Sequence, residues 1–474
     1  MTEAVLEQRE DRLAFPPDFW WGASTAAYQI EGSTADGGRT ASIWDTFCAT
    51  PGAVAGGDTG LVATDHYRRY AEDVAIMAEM GLRGYRFSVS WPRVQPGGRG
   101  RLNPAGVAFY DRLLDALCEH GIRPVVTLYH WDLPQELEDN GGWTNRTTAE
   151  RFAEYAYQMA DRLGDRVALW NTLNEPWCSA FLGYASGVHA PGRSDPVEAL
   201  TAAHHLLLAH GLGTRAVRAA YPGVPVSVVL NLSPVRGVSV QPADLEAVRR
   251  IDGLLNRMFL DPVLRGRYPR DVQADTAHLT DWSFVRADDL DVTASPIDVL
   301  GINYYCPMLV SGGHPNPDPA ATAAWPGCPD VTFHPMPGPV TDMNWPVDSG
   351  GLTSLLLRLT REYGNLPLFV AENGAAYPDQ LGPDGTVHDP ERIDFLYAHI
   401  RAAHEALSQG VDLRGYFVWS LLDNFEWAQG YAKRFGLVHV DYATQRRTWK
   451  DSALWYRSVI HRGSIPAEHP ARYR

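Results

Sequence analysis

Eight times along this sequence a short apolar run is followed, one loop later, by a stretch with helical spacing. That alternation constrains the fold more than any other feature. The runs occupy 19–24, 83–90, 122–129, 167–174, 224–231, 297–304, 366–372 and 413–420. Most are continuously apolar rather than alternating, which is what strands buried on both faces require. The helical stretches fall at 65–80, from the cap Asn103-Pro104 to His120-Gly121, and at 147–163, 196–220, 242–259, 349–363, 390–408 and 451–461. Eight such units predict an α/β fold: a single closed (β/α)8 barrel with extended loops at the C-terminal ends of its strands. The rival is an open doubly wound sheet, which would carry a Gly-rich phosphate turn after its first strand, and the sequence has none there. Residues 1–14 are polar and are read as a flexible tail, leaving 15–474 as the barrel domain. The segment 306–348, rich in Pro and Gly, is predicted to form a rim or lid over the barrel mouth.

Composition narrows the partners. A formal net charge of −15 disfavours nucleic acid, which calls for clustered Lys and Arg. No apolar run reaches membrane-spanning length, and residues 1–12 lack the apolar core of a signal peptide. The five cysteines are odd in number and include no Cys-x-x-Cys pair. This disfavours a disulfide framework or structural zinc and predicts a cytoplasmic protein. Fifteen Trp and 21 Tyr suit a protein that packs aromatic faces against sugars, although aromatics fill cores equally well.

In a barrel of this kind the chemistry sits where the strands end. The ends here supply Gln29, Arg86, His130, Asn174, Glu175, Asn231, Asn303, Tyr305, Glu372 and Trp419. Two of these are carboxylates, each closing an apolar run: Thr172-Leu173-Asn174-Glu175-Pro176 and Ala371-Glu372-Asn373-Gly374. Two facing carboxyls are what glycoside hydrolysis needs, one to protonate the leaving oxygen and one to work at the anomeric carbon.

At these residues the chain resembles glycoside hydrolase family 1, the β-glucosidase family, whose fold is a TIM barrel. The likeness runs through Phe19 to Gly32, Tyr85-Arg86-Phe87-Ser88, Tyr129-His130-Trp131-Asp132, Thr172 to Pro176, Asn303-Tyr304-Tyr305, Glu372-Asn373-Gly374 and Trp419 to Trp427. Ala371 departs from the Thr usual in the family. The resemblance implies that Glu372 is the nucleophile and Glu175 the general acid, then base, of a retaining mechanism. Arg86 and Tyr305 would support the nucleophile, and Asn174 would bind the sugar 2-hydroxyl. Gln29, His130, Trp419, Glu426 and Trp427 would hold the other hydroxyls and the sugar face, with Asn303 beside them. Trp345 would be a platform on the aglycone side, near Asn231. No metal or organic cofactor is implied, because carboxylates perform both proton transfer and attack. The implied partner is a small β-glucoside or oligosaccharide, with β-galactosides and β-fucosides as further substrates in carbohydrate and cellulose breakdown. A homo-oligomer is compatible with the sequence.

Three other readings compete. A 6-phospho-β-glycosidase would carry a small hydroxyl residue in place of Glu426 and a Tyr in place of Phe435. A thioglucosidase would lack the acid that Glu175 supplies. A non-catalytic sugar-binding relative would have lost one of the two carboxylates. Cys178 and Cys306, beside the acidic segments, have no role that the sequence assigns.

Overall fold

The structure, a computed structural model, describes residues 12–316 and 318–468. The eight apolar runs become eight parallel strands: β1 (Trp20–Ser24), β2 (Gly84–Ser88), β3 (Arg123–Tyr129) and β4 (Leu169–Asn174), then β5 (Val226–Asn231), β6 (Val299–Asn303), β7 (Leu368–Asn373) and β8 (Leu413–Trp419). Each pairs with its neighbour in the chain. The barrel closes where β8 pairs with β1, from Gly415 opposite Trp20 to Trp419 opposite Ser24. The expected (β/α)8 architecture is the one observed.

The surrounding helices are α1 (His66–Met80), α2 (Pro104–Glu119), α3 (Arg146–Leu163), α4 (Pro196–Ala220) and α5 (Pro242–Asp252), followed by α6 (Ser349–Tyr363), α7 (Pro390–Ser408) and α8 (Asp451–Arg462). Their starts follow from capping chemistry. Side chains of Asn103, Asn145 and Asp195 accept from backbone N–H groups that the first turn leaves unpaired. α1 stops at Gly81, whose φ of 79° is costly for other residues.

Two expectations are corrected. The helix expected over 242–259 ends at Asp252. The chain widens into a π-helical turn, Gly253–Arg257, before a further helix, Met258–Arg265. In that turn the buried Asn256 bonds both backbone groups of Ser233, tying the turn to the loop after β5. The tail reading of 1–14 fails at its end: Arg12–Ala14 form a strand antiparallel to Ser464–Pro466. Arg12 donates there to the hydroxyl and the carbonyl of Ser464, at 2.9 and 2.8 Å; residues 1–11 lie outside the described residues. Part of the insert after β6, expected as a rim or lid, is strand. Met308–Ser311 pairs with Val235–Gly237 on one side and Thr332–His334 on the other, making a small sheet on the rim. Among the described residues no helix is long and apolar enough to cross a membrane.

Inside the barrel, the end away from the strand C-termini is filled by Val125, Leu169, Val229, Phe369, Ala371 and Phe417. Phe417 has room because its neighbours lack side chains. A Cβ on Gly22 would lie 2.3 Å from its ring, and one on Gly84 would lie 2.9 Å away. This floor carries the strands toward the site at fixed separation. Removing a fully buried Phe ring costs about 3–5 kcal/mol through lost burial and the cavity left behind. Phe417→Ala is therefore expected to lower unfolding free energy by about that amount in urea titration. A loss below about 1 kcal/mol would show that the floor does not hold the barrel.

Candidate active site

Simple alternation along the strands would send Asn174 and Glu372 away from the barrel interior. Leu169 and Asn171 face inward on β4, as Phe369 and Ala371 do on β7. Register shifts between Asn171 and Asn174 and between Val370 and Glu372 re-aim the last residues. Such irregularities turn a strand by one side chain. Asn174 then reaches the same centre as Glu372. Glu175 follows with φ of 46°, a left-handed backbone that costs on the order of 1 kcal/mol and is tolerated where its surroundings fix it. Beyond β7, a Cβ on Gly374 would lie 1.7 Å from the carbonyl oxygen of Trp419, so only glycine lets β7 and β8 meet there. Asn373 holds the same junction, donating to the Tyr304 carbonyl at 2.6 Å and accepting from the Tyr416 hydroxyl.

A connected set of hydrogen bonds results. Arg86, wholly buried at the end of β2, donates from Nη1 to Oε1 of Glu372 at 2.6 Å and from Nη2 to Oδ1 of Asn174 at 2.6 Å. Tyr305 donates its hydroxyl to Oε2 of Glu372 at 2.7 Å. Asn303 Nδ2 spans Asn174 Oδ1 at 3.1 Å and Glu175 Oε1 at 2.8 Å. Asn174 Nδ2 donates to Nε2 of His130 at 3.0 Å, which places the proton of the neutral imidazole on Nδ1. Burial, with Arg86 adding to it, holds His130 well below the usual histidine range.

The two acids outside this guanidinium clamp behave differently. Glu175 is pushed up to about 8, first by burial and then by the charge of Glu372; donors from Asn303 and Cys178 and the charge of Arg86 oppose the shift. Glu426, after β8, is also pushed up to about 8 by burial and by Glu372 and Glu175. These groups border a cavity of about 330 Å³ at the C-terminal mouth. Trp419 and Trp427 each stack on the His130 ring, with centroids 5.9 Å away. Trp345 stands toward the outside, 5.2 Å from Tyr305 and 6.1 Å from Phe435. A second cavity, about 430 Å³, lies at the opposite end of the barrel against Trp20, Phe369 and Phe417, away from this set of acids.

The sequence profile described as Glycosyl hydrolase family 1 matches residues 11–464. The chain belongs to glycosyl hydrolase family 1. It is similar to a bifunctional β-D-glucosidase/β-D-fucosidase of Bifidobacterium breve, 50% identical over 97% of this chain and 100% of that one. It is also similar to the thermostable β-glucosidase B of Thermobispora bispora, 53% identical over 96% and 92% of the two chains. Among solved structures it resembles the psychrophilic β-glucosidase of Micrococcus antarcticus, with TM-score 0.91, 51% identity, and coverage of 94% and 97%. It likewise resembles the family 1 β-glucosidase of Thermotoga maritima in complex with deoxynojirimycin, with TM-score 0.90, 44% identity, and coverage of 96% and 100%.

In this family 1 glycosyl hydrolase, Glu175, Glu372, His130, Asn303, Tyr305, Trp345, Trp419, Glu426 and Trp427 border one cavity, together with Asn231. Asn174 and Arg86 lie buried beneath it. Gln29 does not form part of the cavity wall. Its Nε2 is bonded to Asn424 Oδ1 and the Phe425 carbonyl, at 3.0 and 2.8 Å, so it fixes the loop that carries Glu426. Among the described residues, Gln29 Oε1, His130 Nδ1 and Glu426 Oε2 are buried with no hydrogen-bond partner. Sugar hydroxyls, which both donate and accept, fit such a set. Sequence reasoning missed Trp131, whose indole N–H donates to the Asn174 carbonyl at 3.1 Å and whose ring lies 4.5 Å from Trp427. It also missed the wall residues Trp177, Met308 and Met343. Adjacency to His130 and Glu175 was the available signal for the two tryptophans; the methionines had none.

The raised acids predict a pH effect on stability. In the unfolded chain both carboxyls titrate near about 4.3, so in more acidic solution the folded and unfolded forms both hold these protons. As pH rises, the unfolded chain releases them first, while the folded chain keeps them until about 8. Their contribution to stability is therefore full in acid and is lost across that window. Glu426→Gln keeps the size and removes the titration. Its Tm relative to the unaltered protein is expected to rise between about pH 5 and about pH 8. A difference that stays constant over that range would falsify the assignment.

Proposed function

We propose that this chain is a retaining β-glucosidase that releases terminal non-reducing β-D-glucosyl residues from aryl β-glucosides and short cello-oligosaccharides, and takes β-fucosyl and β-galactosyl groups as well. Glu372 is its nucleophile, and Glu175 its acid and then its base. The observation that carries this reading is the unequal treatment of two buried carboxyls, one just after β4 and one on β7. Glu372 receives a guanidinium and a phenol, whereas Glu175 is pushed up to about 8 and keeps its proton at neutral pH. The bifunctional activity in the name of the Bifidobacterium breve relative supports the wider glycone range. Five unpaired cysteines fit a cytoplasmic enzyme acting late in cellulose breakdown.

On this reading each step has its residue. In the first step an oxygen of Glu372 attacks the anomeric carbon as the bond to the leaving oxygen breaks and Glu175 hands that oxygen its proton. The product is an α-linked glycosyl ester. Esterification removes the negative charge of Glu372, which is one of the causes holding Glu175 up. Glu175 therefore remains ionised after the leaving group departs and can act as base. In the second step it takes a proton from water, the hydroxide oxygen attacks the anomeric carbon, and the Glu372 carboxylate leaves. Two inversions give net retention. Asn174, whose Oδ1 is taken by Arg86 and Asn303 and one Nδ2 hydrogen by His130, has its second Nδ2 hydrogen to donate to the sugar 2-hydroxyl, a contact that strengthens as positive charge builds at the ring.

Unphosphorylated sugars fit the glycone site better than 6-phosphates. Lys433 is held by Asp342, at 3.1 Å, and Arg434 by Asp423, at 2.6 Å, so neither pairs with Glu426. A phosphate dianion placed beside Glu426 and Glu372 would meet carboxyls rather than these cations.

Glu372→Ala is expected to lower kcat by about four orders of magnitude or more. Glu175→Ala should keep the first step on aryl glycosides whose leaving groups need no proton, while its second step, left without a base, slows until azide restores turnover. Added azide should then yield a β-glycosyl azide with this variant and an α-glycosyl azide with Glu372→Ala. The unaltered enzyme's first-formed product should be the β anomer by NMR. Its kcat/KM should fall as pH rises through about 8, and Glu175→Ala should lose that limb. An α first product, or azide products of the opposite configuration, would exchange or remove the two roles. Finally, kcat/KM for an aryl β-glucoside should exceed that for its 6-phosphate by about a hundredfold or more, about 2.7 kcal/mol. Equal rates on the two substrates would overturn the free-sugar reading.

A further inference from the structure

Cys178, to which the sequence assigned no role, touches the acid. Its Sγ–H donates to Oε2 of Glu175 at 3.4 Å, while Asn303 donates to Oε1 at 2.8 Å. The carboxyl is thus held from both of its oxygens, once from the end of β6 and once from its own turn. The backbone leaves the thiol little choice of place. Glu175 is in the left-handed region, and the N–H of Cys178 donates to the Glu175 carbonyl at 3.0 Å, closing a tight turn over Pro176-Trp177. From there the chain winds as the π-helix Cys178–Ala185, a wide turn that recurs at functional sites. Cys178 is buried at the cavity wall. Burial and the adjacent Glu175 hold its thiol well above the usual range, so it stays a donor rather than becoming a thiolate.

We propose that Cys178 is a positioning residue for Glu175: its S–H bond fixes the carboxyl in the orientation it shares with Asn303 and stabilises the ionised form that the second step needs. This rests on the reading of Glu175 as acid and base. The other groups facing Glu175 are Glu372 from β7, Arg86 from β2, His130 after β3, Tyr305 after β6 and Glu426 after β8. None of them is altered by a change at Cys178, so a shift in the pH at which the acid is lost reports the thiol. A side chain that only filled space would leave that pH alone.

The test compares kcat/KM against pH for the intact enzyme, Cys178→Ala, Cys178→Val and Cys178→Ser, using an aryl β-glucoside that requires acid assistance. Measurements are made below the Tm of every variant. Loss of a weak donor worth under about 1 kcal/mol moves a carboxyl by about half a pH unit. The alkaline limb should therefore move up by about that much in both Cys178→Ala and Cys178→Val, which differ in volume but both lack a donor. In Cys178→Ser, which keeps a hydroxyl donor, it should lie below the limb of Cys178→Ala. Limbs that coincide in all four proteins, or that follow side-chain volume instead of donor capacity, overturn the proposal. Glu175→Ala on an activated aryl glycoside separates the two levels of the argument. If that variant keeps the alkaline limb, the acid is another group and the underlying reading fails. If it loses the limb while the Cys178 variants leave it in place, only the role of Cys178 fails.

Discussion

The guanidinium of Arg86 is the interaction on which the rest of the site depends. It is fully buried, and its two terminal nitrogens are committed to Glu372 and Asn174. A cation without a partner at that depth would cost several kcal/mol, and so would an unpaired carboxylate. Each therefore requires the other. Three carboxyls, Glu175, Glu372 and Glu426, surround this single clamp, and the two it does not hold are the two pushed up to about 8. On the proposed roles, burial and the charge of Glu372 raise the acid Glu175, while the placement of one positive charge supplies the nucleophile Glu372 with a donor. This difference does not require different residue types, since all three are glutamates.

That arrangement relies on backbone that local preference does not favour. Trp131, Glu175 and Trp427 have φ values of 78°, 46° and 49°, all left-handed, the first two just beyond strand ends and the third in the loop after β8. Their surroundings fix them. Trp131 bonds the Asn174 carbonyl, and Trp427 packs against Trp131 and, at 4.6 Å, against Trp44. The aromatic residues that suit a sugar face are also the ones that hold these turns. Sugar stacking and structural packing compete as explanations of the high Trp content; on the proposed reading the same rings serve both.

Much of this could be read from the chain, for identifiable reasons. Strands buried on both faces show as continuous apolar runs, and Asn103-Pro104 announces a helix start by chemistry that operates within four residues. The acidic residues at strand ends were legible because barrel geometry gathers all such ends in one place. What was not legible depends on contacts distant in sequence. The register shifts that re-aim Asn174 and Glu372 leave no local trace. The strand Arg12–Ala14 looks like a polar tail because its partner lies some 450 residues away, as the Arg12–Ser464 separation of 452 shows. Gln29 was read as a sugar ligand from its place at a strand end; that its amide nitrogen also anchors the loop after β8 was not legible. The bond from Cys178 to Glu175 needed a turn whose handedness the sequence Glu-Pro-Trp-Cys does not declare.

The ladder between Arg12–Ala14 and Ser464–Pro466 brings the start and the finish of the described barrel side by side. A cyclic fold whose two ends already touch has no privileged first unit. Residues 14 and 464 could be joined by a short linker and the ring cut in an exposed loop on the far side, and every βα unit would keep both neighbours. The order in which the units leave the ribosome would change, while the contacts that define the site would not. The chain is linear in synthesis and circular in its mechanics.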